Sequence, residues 1–253
     1  MEQIFLKEMK DITISLADIF LPRYCIVCGR RLGTYERHLC LYCFGDFPYT
    51  RNWLLNHNNM ANRFNSLLIK KAPKSEPYGF YQYAAALFFY QEHNNYRKIT
   101  QSIKYKGNIA AGKYFGQILG KKLSESWGKD VDLVIPIPLH WTRKLSRGYN
   151  QAAIVACGIA SVLNVKMLPD GLCRIRRTKT QTKVSTENKE KNVEGAFRTN
   201  PRRLNMLKAC KHIIIVDDVF TTGSTISSAY FALRETVGKK VRISAVTLGC
   251  VQQ

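Results

Sequence analysis

Residues 213–225 read Ile-Ile-Ile-Val-Asp-Asp-Val-Phe-Thr-Thr-Gly-Ser-Thr. Four β-branched residues, Ile213, Ile214, Ile215 and Val216, form a continuous apolar run of the kind found in strands buried on both faces of a parallel sheet. The run ends on Asp217 and Asp218 and passes into Thr221, Thr222, Gly223, Ser224 and Thr225. Beyond them Ile226, Ala229, Tyr230, Leu233 and Val237 recur at helical spacing, and Gly238 is placed to end that helix. Strand, hydroxyl-rich loop and helix N-terminus together receive anions, because unpaired N–H groups and the positive end of the helix dipole face the same point. The two carboxylates beside it repel phosphate but suit sugar hydroxyls or a magnesium ion. The pattern asks for a sugar phosphate. The plainer reading is a turn whose acids and threonines only cap the helix. An Asp pair alone would favour it; the complete run VDDVFTTGST behind an apolar strand favours the ligand.

A second stretch, residues 131–151, reads VDLVIPIPLHWTRKLSRGYNQ. An apolar strand ends at Pro136 and Pro138, which lack N–H donors and force a rigid exit. Arg143 and Arg147 follow, Gly148 permits a tight backbone, and Asn150-Gln151 opens a helix. Guanidinium groups bind phosphate oxygens bidentately, so Arg143 and Arg147 are the candidates for a second anion. Their bland alternative is a solvated helix face.

Strands expected at 83–90, 131–137, 165–173, 212–218 and 241–248 alternate with helices at 96–106, 109–124, 149–163 and 224–237. Such alternation predicts an α/β fold: a parallel sheet flanked by helices, with ligand at the carboxyl ends of the strands. Residues 1–50 read as an amphipathic helix followed by a cysteine module, 51–80 as an irregular connector, and 81–253 as the α/β domain. The 253 residues allow one sizeable core and a small module. Without an apolar run of membrane-spanning length or a secretory h-region, the expected location is cytoplasmic.

Cys25-x2-Cys28 and Cys40-x2-Cys43 are two knuckles whose four thiolates suit one structural zinc, and a chain without a secretion signal disfavours disulfides. Cys157, Cys173, Cys210 and Cys250 sit in apolar segments and read as core. The chain carries 39 Lys/Arg against 18 Asp/Glu, a net charge of +21, and residues 140–211 hold +12 of it. That balance suits polyanions, whether pyrophosphate or nucleic acid. Residues 176–192, with Arg176, Arg177 and Lys179, contain a single aliphatic residue. They read as a lid or nucleic-acid segment rather than core.

Residues 213–225 closely resemble the phosphoribosyl pyrophosphate (PRPP) signature of type I phosphoribosyltransferases. That resemblance implies Asp217 and Asp218 on the ribose hydroxyls, and Thr221, Thr222, Gly223, Ser224 and Thr225 around the 5-phosphate. The order of YRKITQSIKYKGN (96–108), PIPLHWTRKLSRGYNQA (136–152), RIRRTKTQT (174–182), NVEGAF (192–197) and IIIVDDVFTTGST is similar to that of ComF-family proteins, which are competence-associated and phosphoribosyltransferase-like. The four-cysteine module fits the same family. Lys189 stands where the family has Arg; it keeps the charge and loses the bidentate geometry. The resemblance implies a type I phosphoribosyltransferase-like domain binding PRPP with magnesium, a role in DNA uptake or use of external DNA, single-stranded DNA as a partner, and a helicase-like competence protein beside it. The rival expectation is an active phosphoribosyltransferase of nucleotide metabolism, displacing pyrophosphate at the ribose anomeric carbon.

Overall fold

Strand β6 (His212–Phe220) is the middle strand of a five-stranded parallel sheet in a computed structural model that describes residues 20–72, 80–140, 145, 147–175 and 195–252. The spatial order is β1 (Ala84–Tyr90), β7 (Arg242–Val251), β6, β2 (Leu133–Pro136), β3 (Lys166–Met167). Every pairing is parallel, so the carboxyl ends gather at one edge, with Val216 beside Pro136 and Val246 and Asp217 beside Thr247. The apolar run of β6 is buried on both faces: Ile214 and Val216 enter one core, Ile213 and Ile215 the other. This is the parallel sheet flanked by helices expected from the alternation.

On the first face lie α3 (Arg97–Tyr105), α4 (Ile109–Ser124) and α5 (Gln151–Leu163), with Ile99, Phe115, Leu119, Val155 and Ile159 against the sheet. Helices α4 and α5 approach so closely that a Cβ on Gly116 would stand 2.4 Å from the Val155 carbonyl oxygen. The opposite face is covered by α7 (Ser224–Val237) and by α2 (Asn59–Lys71), a helix inside the stretch expected as connector. Asn58 caps α2 through the Ala61 N–H at 2.9 Å, and Phe64 meets Tyr230 edge-on at 5.8 Å. A short helix α1 (Leu41–Gly45) belongs to the cysteine module, and α6 (Leu204–Ala209) precedes β6.

The single strand expected at 165–173 is two. Strand β3 ends at Met167, and β4 (Leu172–Arg174) pairs antiparallel with β5 (Phe197–Thr199) in a separate two-stranded sheet. Pro169-Asp170-Gly171 between them is turn chemistry: proline removes a ladder donor, and the Asp170 carboxylate is taken by Arg203 at 2.8 Å. Cys157 and Cys173 also differ from expectation. Both are exposed, whereas Cys250 is buried. The expected N-terminal helix up to residue 19, together with Trp141, Arg143, Arg176, Arg177, Lys179 and Lys189, lies outside the described residues.

Candidate functional site

The loop between β6 and α7 is only Thr221, Thr222 and Gly223, because β6 runs on through Asp217 and Asp218 to Phe220. Gly223 is the N-cap of α7 with φ +78°, in the left-handed region. A Cβ there would lie 2.6 Å from Leu67 Cδ1 and 2.7 Å from Phe220 Cζ, so only glycine fits both the backbone and the space. The Thr222 and Ser224 hydroxyls are 2.9 Å apart, and the Ser224 N–H approaches Thr222 Oγ1 at 3.4 Å. The first turn of α7 presents N–H groups that the helix itself cannot satisfy. Thr221, Thr222, Gly223, Ser224 and Thr225 are therefore gathered at one helix N-terminus.

Asp217 and Asp218 stand at the entrance of this loop. Each accepts the next backbone N–H, Asp217 from Asp218 at 2.9 Å and Asp218 from Val219 at 2.8 Å. Asp218 also pairs with the Lys104 ammonium at the end of α3. Burial pushes the Asp217 carboxyl from 3.8 up to about 6, while the charges of Lys104 and Arg174 pull the other way. Arg174 ends β4, with its guanidinium 5.3 Å from the Phe197 ring centroid.

Arg147 reaches the same edge through α3. Its guanidinium carbon is 5.3 Å from the ring centroid of Tyr105, the neighbour of Lys104, and its Nη1 donates to Gln151 Oε1 at 3.2 Å. The Tyr149 hydroxyl donates to the Ile103 carbonyl. Asn150 caps α5 through the Ala152 N–H at 3.1 Å and donates to the Ile137 carbonyl at 2.9 Å. The Arg-Gly-Tyr-Asn-Gln run thus ties the exit of β2 to the last turn of α3, and consecutive residues Lys104 and Tyr105 link it to the acids.

The Cys25, Cys28, Cys40 and Cys43 sulfurs all lie within 4.8 Å of one another. Cys28 Sγ and Cys40 Sγ are 3.7 Å apart, close to the roughly 3.8 Å edge of a tetrahedron with metal–sulfur bonds of about 2.3 Å. Gly29, at φ +77°, closes the first knuckle by donating its N–H to the Cys25 carbonyl at 2.9 Å. Burial raises the Cys25 thiol, but hydrogen bonds from Cys28, Cys40 and Val27 outweigh it and bring the thiol down to about 7. The arrangement suits one metal ion held by four thiolates.

No family model matches the chain. Competence protein F of Haemophilus influenzae is 29% identical over 112 residues, 44% of this chain and 48% of that protein. DNA utilization protein YhgH of Escherichia coli (strain K12) is 32% identical over 96 residues, 38% of this chain and 40% of that protein. Its curated homologues are ComF-family proteins. The match spans less than half the length of either relative. A solved structure of the allosteric regulatory enzyme of purine biosynthesis is similar over 54% of this chain and 25% of its own, with a TM-score of 0.34 and 17% identity. No helix among the described residues is long and apolar enough to cross a membrane.

Three basic residues at this site were absent from the sequence-level set. Lys104, in the IKYKG run, fits either a basic face or an exposed helix position by sequence alone. Arg174 stood in the R-x-R-x-T-x-x-Q run without an assigned role. Arg63 gave no signal, because it lies in the stretch without a motif; its Nη2 donates to the Thr221 carbonyl at 2.6 Å.

Proposed function

We propose that this ComF homologue is a phosphoribosyltransferase-like protein that binds PRPP with magnesium and single-stranded DNA in the use of external DNA. One observation carries the sugar-phosphate half: a glycine-pivoted hydroxyl loop at a helix N-terminus, directly after paired carboxylates on the central strand. In this reading the loop hydroxyls and N–H groups take the 5-phosphate, and Asp217 and Asp218 accept from the ribose hydroxyls. Arg147 faces the pyrophosphate, with Arg143 as its expected partner. The carboxylates are donors of the class magnesium prefers, and the ion when bound neutralises diphosphate charge. The DNA half is supported by the net charge of +21 and by the names of the relatives, a competence protein and a DNA utilization protein. The four thiolates would hold a structural zinc, since four sulfurs leave no open position for chemistry.

Calorimetric titration tests both halves on one preparation. PRPP with magnesium is expected to bind saturably. A single-stranded oligonucleotide is expected to bind with an affinity that falls with salt, with a slope near −0.7 per phosphate neutralised. Reversing the charge at Arg176, Arg177 and Lys179 should flatten that slope and leave PRPP binding largely intact. Absence of PRPP binding removes the first half. Salt-independent oligonucleotide binding removes the second.

A further inference from the structure

We propose that Arg63 is the positioning residue of the sugar-phosphate loop, a clamp behind the loop that fixes the direction of its backbone amides. The proposal rests on the phosphate reading of residues 221–225. On α2, Arg63, Leu67 and Lys71 recur every four residues and so share one face. That face follows the loop step by step. Leu67 Cδ1 packs where a Gly223 side chain would stand, and Lys71 Nζ lies 3.5 Å from Ser227 Oγ in the first turn of α7.

Arg63 makes the decisive contacts. Nη2 donates to the Thr221 carbonyl and Nη1 to the Val251 carbonyl, each at 2.6 Å, while the guanidinium carbon lies 5.2 Å from the Phe220 ring centroid. Its two arms therefore tie the loop to the end of β7, a neighbouring strand of the same sheet. The consequence follows from peptide planarity. The described chain has no cis peptide bond, and in a trans peptide the C=O of one residue and the N–H of the next point in opposite directions. Holding the Thr221 carbonyl outward, toward α2, turns the Thr222 N–H inward, toward the concave side of the loop. There it would donate to an anion. A guanidinium can perform this task because its fork reaches two carbonyls at fixed spacing, whereas one ammonium is a single point charge.

Ribose 5-phosphate and PRPP with magnesium are the probes, titrated into the full chain and followed by calorimetry and by the Thr222 amide resonance. Arg63→Lys, which retains the charge and loses the fork, is expected to weaken both ligands about tenfold, as one charge-assisted hydrogen bond is lost. The Thr222 amide proton should shift downfield with ligand in wild type and move much less in the variant. Arg63→Ala is expected to regain affinity on addition of methylguanidine, a rescue that a merely loosened fold would not show. If Arg63→Ala does not fold, Arg63→Lys and its amide signature decide alone. Wild-type affinity and a wild-type Thr222 shift in Arg63→Lys would overturn the clamp while leaving the phosphate loop standing. Failure of wild type to bind either probe overturns both.

Discussion

At Asp217 burial opposes ionisation while the charges of Lys104 and Arg174 favour it, and burial prevails, lifting the carboxyl to about 6. The sign of the consequence follows from linkage. A carboxyl whose folded pKa exceeds its unfolded value of 3.8 keeps its proton longer in the native state, so stability falls as pH rises from 3.8 through about 6. At pH 7 the ionised side chain is a cost to the fold. Asp217→Asn is nearly isosteric and removes that charge. The variant is expected to melt above wild type at pH 7, with the advantage vanishing toward pH 4, in scanning calorimetry across that range. It should also bind PRPP with magnesium more weakly, by about 1.5–3 kcal/mol for a lost charged hydrogen bond. A more stable variant with unchanged affinity would mean that the acids belong to a structural turn only. Lys104 shows how the site limits repulsion between adjacent acids: it pairs with Asp218, and its charge also favours the ionised form of Asp217.

Helix α2 decides more than its sequence suggests. Its polar residues Asn59, Asn62, Arg63, Asn65, Lys70 and Lys71 give residues 51–80 the look of a connector. Yet Met60, Ala61, Phe64 and Leu68 fall on one face and are fully covered. Even Asn65 is buried without loss, since its side chain exchanges hydrogen bonds with the Gln82 N–H at 2.9 Å and carbonyl at 2.8 Å, like one more rung of a ladder. Phe64 packs against Tyr230 of α7, so it ties α2 to the helix that follows the Thr221–Gly223 loop. Phe64→Ala is therefore expected to cost about 3–5 kcal/mol in denaturant unfolding, the range of a central core aromatic. A loss below about 1 kcal/mol, the scale of a surface substitution, would reduce α2 to a peripheral connector.

Across the whole molecule the cysteine module and the α/β domain share one core. Cys25, Val27, Leu39, Cys40 and Phe47 belong to the same buried cluster as Phe88, Ile99 and Phe115. The Phe47 ring lies 5.5 Å from those of Phe88 and Tyr96, Tyr96 donates its hydroxyl to the Cys43 carbonyl at 2.9 Å, and Lys98 Nζ donates to the Val27 carbonyl at 2.9 Å. Metal removal by a chelator, or Cys40→Ser, is therefore expected to lower the main calorimetric transition of the full chain. A separate small transition that moves alone would show an independent module instead. Sequence alone determined what is written in neighbouring residues. The β-branched run announced a strand buried on both faces, Gly223 and its hydroxyls announced a turn into a helix, and C-x2-C spacing announced two knuckles. Each signal is local, set by backbone sterics and side-chain period within about a dozen positions. It could not state that Arg63 grips a carbonyl 158 residues further on, that Lys104 neutralises Asp218, or that Arg174 lends its charge to Asp217. Nor could it separate β3 from β4 until the turn at Pro169 was weighed, or find the buried face of α2 among its polar residues. Those facts were decided by tertiary structure, because parallel pairing needs long crossovers and helix faces find their partners only when the sheet brings distant segments together.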